Sequence, residues 1–300
     1  MTLTRITTLM TSNQILSEIN SSQAALANTE EELSTGKTIN QPSDNPYGAA
    51  LAVQLNGQLS QLNDYNDNIT DGQAWTSTAT TALNSIQQQV QRAQELVTEA
   101  GNGTLQPSQL ADIGSEINAI VSSIQSTANT QYNGQYVFSG TSTSTAPYDS
   151  SGNYQGSTSM VTRQIGPNAN VAVSVNISDA LGTSSTTGLM ATLSNIATQL
   201  TTDTGTSALN TTDLSDLQTG LNALSTLQTQ LGTSTDQMTM AASTISDMQT
   251  SVSSDLSNDT EANMASTMTT YSNEEAAFTA ALKAGASIVQ SSLMDFLSSN

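Results

Sequence analysis

The chain has 300 residues, of which 36% are hydrophobic and 4% aromatic, too thin an apolar supply for one large compact core but enough for long helices that each bury a single stripe. Five basic against 25 acidic residues give a formal charge of -20, which sets the field of the whole protein against nucleic acid and anionic lipid. Cysteine and histidine are absent, so disulfides, thiolate metal sites, the commonest zinc ligand and the usual general base near neutral pH all drop out.

From the start, MTLTRITTLMTSNQ lacks the apolar run of a secretory signal, and no later segment is apolar enough to insert in a membrane. If the protein leaves the cell, the expected route is one without a cleavable signal peptide. Leu9, Leu16, Ile19, Leu26 and Leu33 then form an amphipathic stripe interrupted by Ser12 and Gln23. The stretch Gly36 to Pro46 holds a glycine and two prolines, which break any helix continuing from that stripe. A joint is expected there, carried by Gly36, Asn40, Pro42, Asp44 and Pro46.

Asn45 as N-cap and Pro46 at the first helical position open the longest predicted helix. Leu55, Leu62, Ile69, Thr76, Leu83, Val90 and Val97 recur every seventh residue, beside a companion row of Tyr65, Ala79, Ile86, Ala93 and Ala100. Thr76 and Gly72 are its lapses, and Gly101-Asn102-Gly103 ends it. A second helix is expected after Pro107, with Leu110, Ile117 and Ile124 in one row, folding back on the first. The period then falls to two, where Gln135 to Phe138 and the alternating Val171, Val173, Val175 and Ile177 predict a small β region with turns at Gly152-Asn153 and Gly166-Pro167-Asn168.

A short helix is expected around Leu189, Leu193, Ile196 and Leu200, and a third long one carries Leu217, Leu224, Leu231, Met238, Ile245 and Val252. Three long seams bury only against one another, which predicts an elongated antiparallel bundle. The chain closes on a second stripe: Met264, Met268, Tyr271, Phe278, Leu282, Val289, Leu293 and Phe296. A lone amphipathic helix is marginal in water, so each end needs a partner: the other end, or a copy in a neighbouring subunit. The assembly interface is therefore placed on Leu9, Leu16, Ile19, Leu26, Leu33, Tyr271, Phe278, Leu282, Val289, Leu293 and Phe296.

The segment LSTGKTINQPSDNPYGAALA, Leu33 to Ala52, resembles the N-terminal signature of the flagellin superfamily. Its Gly36-Lys37, Asn40, Pro42-Ser43-Asp44 and Pro46 are similar to the flagellar hook-associated protein 3 family, the hook-filament junction proteins. YNGQYVFSGTSTSTAPY, Tyr132 to Tyr148, resembles that family's passage into its β region, and SSLMDFL, Ser291 to Leu297, its ending. The resemblance implies a mainly α, flagellin-like rod: a terminal coiled-coil pair at 1–45 and 258–300, a helical bundle at 46–140 and 185–257, and a small outer β domain at 141–184. It implies a structural subunit of the extracellular flagellum, no cofactor, export through the flagellar type III channel, a cytoplasmic export chaperone, and assembly into a ring beside a neighbouring junction protein and flagellin.

Other readings compete with this one. A filament flagellin is the nearest. An enzyme would need converging groups in the β region, where Asp149, Arg163 and Asp179 are the charged residues, and a secreted coiled-coil translocator would need membrane affinity. Asp64, Asp67 and Asp71 share a helix face but lack a calcium loop. Lys283 has no acid-base partner. Met238, Met240, Met248, Met264 and Met268 suggest either core filling on the heptad rows or an adaptable surface.

Overall fold

A computed structural model describes residues 3–102, 104–202 and 212–298, with side chains at 10, 12–102, 104–202 and 213–287. Among these the protein is mainly α. Helix α1 covers Leu3–Thr35, α2 Pro46–Ala100, α3 Pro107–Ala128, α4 Ser178–Leu181, α5 Gly188–Thr202, α6 Thr212–Thr260 and α7 Met264–Ser298. Two antiparallel hairpins interrupt them, β1 (Gln131–Tyr132) with β2 (Gln135–Tyr136), and β3 (Thr162–Gly166) with β4 (Ala169–Ala172). The helix starts follow the expected chemistry. Asn45 Oδ1 accepts from Gly48 N–H at 3.0 Å ahead of Pro46. At Pro107 the Gln109 side chain reaches back to the Gln106 N–H at 2.9 Å.

The chain divides into two compact units, residues 1–60 with 249–300, and residues 61–248. Residues 141–184 fall in the second. That unit is built on one continuous core, from Tyr65 and Ile69 through Leu83, Ile117, Ile124, Phe138, Val173, Leu193 and Leu224 to Ile245. The two lapses in the α2 row are packing features. Thr76 is buried, donates to the Gln73 carbonyl at 3.0 Å, and accepts from the Thr235 hydroxyl at 3.3 Å, so its polar atom is satisfied inside the seam. Gly72 leaves room for α6 and the β region: a Cβ there would stand 2.7 Å from Met238 Sδ and 3.0 Å from Val173 Cγ1. Gln228 Nε2 also donates to Asn84 Oδ1 at 2.9 Å and to Gln87 Oε1 at 2.8 Å, tying α6 to α2 along the rim of the same seam. Across from it, Arg92 on α2 meets Glu116 on α3 at 3.0 Å, and this hydrogen-bonded carboxylate raises the guanidinium pKa.

The β region corrects one expectation. Alternation through Val171, Val173, Val175 and Ile177 predicted a strand, but β4 stops at Ala172 and the chain continues extended without a ladder. One reciprocal contact follows: Val173 N–H donates to Val161 O at 2.9 Å, and Val161 N–H donates to the Ser174 hydroxyl oxygen at 2.7 Å. All four alternating residues are buried, and so is Ser174 between them, so the apolar period reports burial in the core and not which backbone groups pair. Likewise β2 covers only Gln135–Tyr136, and Val137 and Phe138 enter the core from the turn that follows. Asn133 and Gly134, both at positive φ (47° and 77°), close the first hairpin as a two-residue turn of this twist requires.

Two tyrosines fasten the loops over this unit. Tyr148 is buried and donates to the Gly182 carbonyl at 2.8 Å, while Tyr154 donates to the Phe138 carbonyl at 2.9 Å. Burial pushes both phenol pKa values up, that of Tyr154 to about 12. Asp149 works in the opposite sense: the N–H groups of Asn153 and Ser151 and the Gln155 amide hold its carboxyl below the ordinary value.

Candidate assembly surface

The first unit is built around α1 and α7. Residues spaced alternately three and four apart face inward on both helices, the arrangement of a two-stranded seam. On α1 these are Ser12, Ile15, Ile19, Ser22, Leu26, Thr29 and Leu33, and on α7 Thr267, Tyr271, Glu274, Phe278, Ala281 and Gly285, while Met264, one heptad before Tyr271, is half exposed at the start of the helix. Ser12, Ser22, Thr29, Thr267 and Glu274 are polar. In the middle of the pair the Thr29 hydroxyl, itself buried, donates to the Glu274 carboxylate. Ile15, Ile19, Leu26, Leu33, Tyr271 and Phe278 are only half-buried. Among the described residues of this unit Leu55 is the one hydrophobic side chain fully buried. The pair meets in register, yet its apolar side chains keep part of their surface in water.

Leu16 and Leu282 lie off this seam, each about half exposed. Together with Ser12, Ile15, Ile19, Gly285 and Ala286 they line an open groove of about 230 Å³ on one flank of the pair. Gly285 forms its floor, because a Cβ there would meet Ile19 Cδ1 at 3.2 Å and Ile15 Cγ2 at 3.4 Å. Met268 is exposed one heptad-pair earlier on the same flank of α7. The side chains of Leu9, Val289, Leu293 and Phe296 lie outside the described residues, and so does that of Arg5.

The joint between α1 and α2 is a built turn. Gly36, at φ 69°, caps α1 through its N–H to the Glu32 carbonyl at 2.8 Å. The chain then pairs with the end of α6: Thr38 N–H donates to Thr260 O and Ala262 N–H to Gly36 O, both at 2.8 Å, around a Lys37–Glu261 bridge. One oxygen of Asp44 accepts from the N–H groups of Asn40 (3.0 Å) and Gln41 (2.7 Å). Pro42 stands second in the turn closed by Asp44 N–H to Gln41 O at 3.0 Å, where its fixed φ suits the geometry. Asn40 Nδ2 reaches the Lys37 carbonyl at 3.2 Å, and Ile39 fills the space left by the missing Cβ of Gly48. Pro46 then begins α2, whose first exposed face carries Tyr47 and Val53.

Among the described residues no group of three or more acidic side chains stands close enough to hold a metal ion. The three charged residues of the β region are each engaged separately: Arg163 with Asp71 at 2.8 Å, Asp179 with the Asn176 amide at 2.8 Å, and Asp149 within its own turn. The described part of no helix is long and apolar enough to cross a membrane.

Sequence reasoning missed Ile15, the Thr29–Glu274 contact and the exposed Tyr47 and Val53. The three-four spacing through Ile15 and Ile19 was present in the sequence. It is masked there by Leu9 and Leu16, which form a second row seven apart on the neighbouring face.

Comparison with known proteins bears on the same regions. Residues 6–143 match the bacterial flagellin N-terminal helical region. The chain is similar to flagellar hook-associated protein 3 of Salmonella typhimurium, 36% identical over 163 residues that make up 54% of this chain and 51% of that protein. It is also similar to the flagellin of Bacillus subtilis, 33% identical over 189 residues, 60% of each chain. The chain thus spans about half the length of the first relative. In fold it resembles a putative flagellar hook-associated protein from Vibrio parahaemolyticus, with a TM-score of 0.68 and 17% identity over 73% of this chain and all of that one.

Proposed function

We propose that this chain is a non-catalytic structural subunit of the bacterial flagellum that joins hook to filament and provides the surface on which flagellin assembles. The observation that carries the reading is the unfinished first unit: a helix pair in register whose apolar side chains stay partly exposed, with an open groove lined by the half-exposed Leu16 and Leu282. Such a pair gains stability when another helix covers it. The interface is assigned to Leu9, Leu16, Ile19, Leu26, Leu33, Tyr271, Phe278, Leu282, Val289, Leu293 and Phe296, and the joint at Gly36, Asn40, Pro42, Asp44 and Pro46 sets the direction of the pair.

The partners on this reading are further copies of the chain in a ring, a neighbouring hook-associated protein, flagellin, and an export chaperone that shields the C-terminal stripe before export without a cleavable signal. The assembly region covers 1–45 and 258–300, the helical region 46–140 and 185–257, and the β region 141–184. Similarity to hook-associated protein 3 and the joint motif support a junction subunit over a filament flagellin. The similarity to Bacillus flagellin is what keeps the second reading in play.

Deleting the encoding gene and viewing cells by electron microscopy tests the junction role. Hooks without filaments, with flagellin shed into the medium, are expected. Normal filaments would overturn it. Purified chain that grows into long filaments alone would favour the flagellin reading instead.

A further inference from the structure

With no cysteine in the chain, methionine is the side chain most readily oxidised, and the structure sorts its thioethers sharply. Met238 is fully buried, packed where Gly72 leaves space, and Met190 is 4% exposed. Two residues after Met238, Met240 is 64% exposed on the opposite face of α6. Met248 is 49%, Met264 50% and Met268 64% exposed. Met264 and Met268 stand one turn apart at the start of α7, and Met268 shares a flank with Leu282 at the groove.

We infer that Met264 and Met268 form an oxidant-sensitive site, whose conversion to sulfoxide by hydrogen peroxide weakens docking of a second copy on the first unit. The docking half of this inference rests on the function proposed above. In the chemical step a lone pair on Sδ attacks one peroxide oxygen, the O–O bond breaks, and the departing hydroxide takes the proton of the new sulfur-bound hydroxyl, leaving sulfoxide and water. Sulfur is oxidised by two electrons and the peroxide reduced by two. The product exchanges a flexible apolar thioether for a strongly polar S–O group. At Met268 that change falls on the flank of α7 whose remaining exposed apolar residue is Leu282, and at Met264 on the exposed start of the seam row, so a helix docking along this end of α7 would have to desolvate the new dipoles. The charge of the chain does not change, so the effect is separable from electrostatic repulsion between copies.

The test treats the full-length chain with graded hydrogen peroxide, maps each sulfoxide by peptide mass spectrometry and follows self-association by sedimentation. Sulfoxide at Met240, Met264 and Met268 is expected about tenfold faster than at Met238, with association lost as Met264 and Met268 convert and the unfolding midpoint unchanged. The variant Met264→Leu with Met268→Leu should keep associating after the same treatment. Both methionine sulfoxide reductases together, one for each sulfoxide epimer, should restore the native chain. Equal oxidation of Met238 would overturn the site's selectivity. Association that persists with both residues converted, or is lost equally in the leucine variant, would overturn its role in docking. If untreated chain does not associate at all, the proposed function fails and the docking half with it, while the order of oxidation stands or falls by itself.

Discussion

The two units are made of the same kind of helix and differ in what each seam meets. In residues 61–248 the apolar rows of α2, α3, α5 and α6 join the β region in one continuous core, and residues such as Leu83, Ile117, Leu193 and Leu231 are fully buried. Among the described residues of the unit formed by 1–60 and 249–300 the rows of α1 and α7 face each other, and polar Ser22, Thr29, Thr267 and Glu274 interrupt them. Burial on one side of a helix pair leaves the outer half of each apolar side chain in water. On the proposed function, the unit of 61–248 is stable by itself and that of 1–60 with 249–300 is completed by association.

The largest expected difference is in core truncation. Leu231→Ala, at a fully buried position in the second unit, is expected to destabilise the monomer by about 3 kcal/mol, measured by urea unfolding. Leu282→Asp in the first unit should change monomer stability by less than about 0.5 kcal/mol while abolishing self-association, because its carboxylate would be buried only between subunits. Comparable losses of monomer stability from both substitutions would erase the distinction.

An intermediate effect is expected at high pH, and only in the second unit. Tyr148 and Tyr154 are neutral in the fold with pKa values raised from 10.0, so the stability they contribute is fully present below that pH and is lost as pH rises, through about 12 for Tyr154 and above that for Tyr148. Near-ultraviolet absorbance should show two tyrosines ionising late, together with loss of the β region's signal. Tyr148→Phe should remove that late step for one residue and cost about 1 kcal/mol by leaving the Gly182 carbonyl without its donor. The smallest effect is at the acid end. Asp149 has a lowered pKa, so its contribution is present above the ordinary carboxylate value and fades as pH falls through the folded one, loosening its turn and no helix.

Much of this was legible in the sequence. Heptad rows gave α2, α3 and α6, since a long seam repeats the same signal many times, and Asn45 with Pro46 and Pro107 marked where α2 and α3 begin. The joint was legible through Gly36, Pro42 and Pro46, whose backbone limits act locally. What escaped depends on distant neighbours. Gly72 and Thr76 read as faults in a row, and only the approach of Met238 and Thr235 shows why a missing side chain and a hydroxyl fit there. The end of β4 at Ala172 escaped because alternation records burial without recording a ladder partner. The Asn133-Gly134 turn carried its own signal, overlooked beside the aromatic run that follows it. At the candidate surface, Leu16 and Leu282 were found as apolar residues at helical spacing. Their place on a groove instead of in the seam follows from Ile15 and Gly285, which only the pairing of α1 with α7 brings together.

The central claim, that the first unit is completed by another copy, is tested most directly by amide hydrogen exchange on dilute and on assembled protein. Exchange in α1 and α7 is expected to be fast in the dilute chain and strongly protected after assembly, with residues 61–100 of α2 protected in both. Equal protection of α1, α7 and that part of α2 in the dilute monomer, unchanged on assembly, would contradict the account.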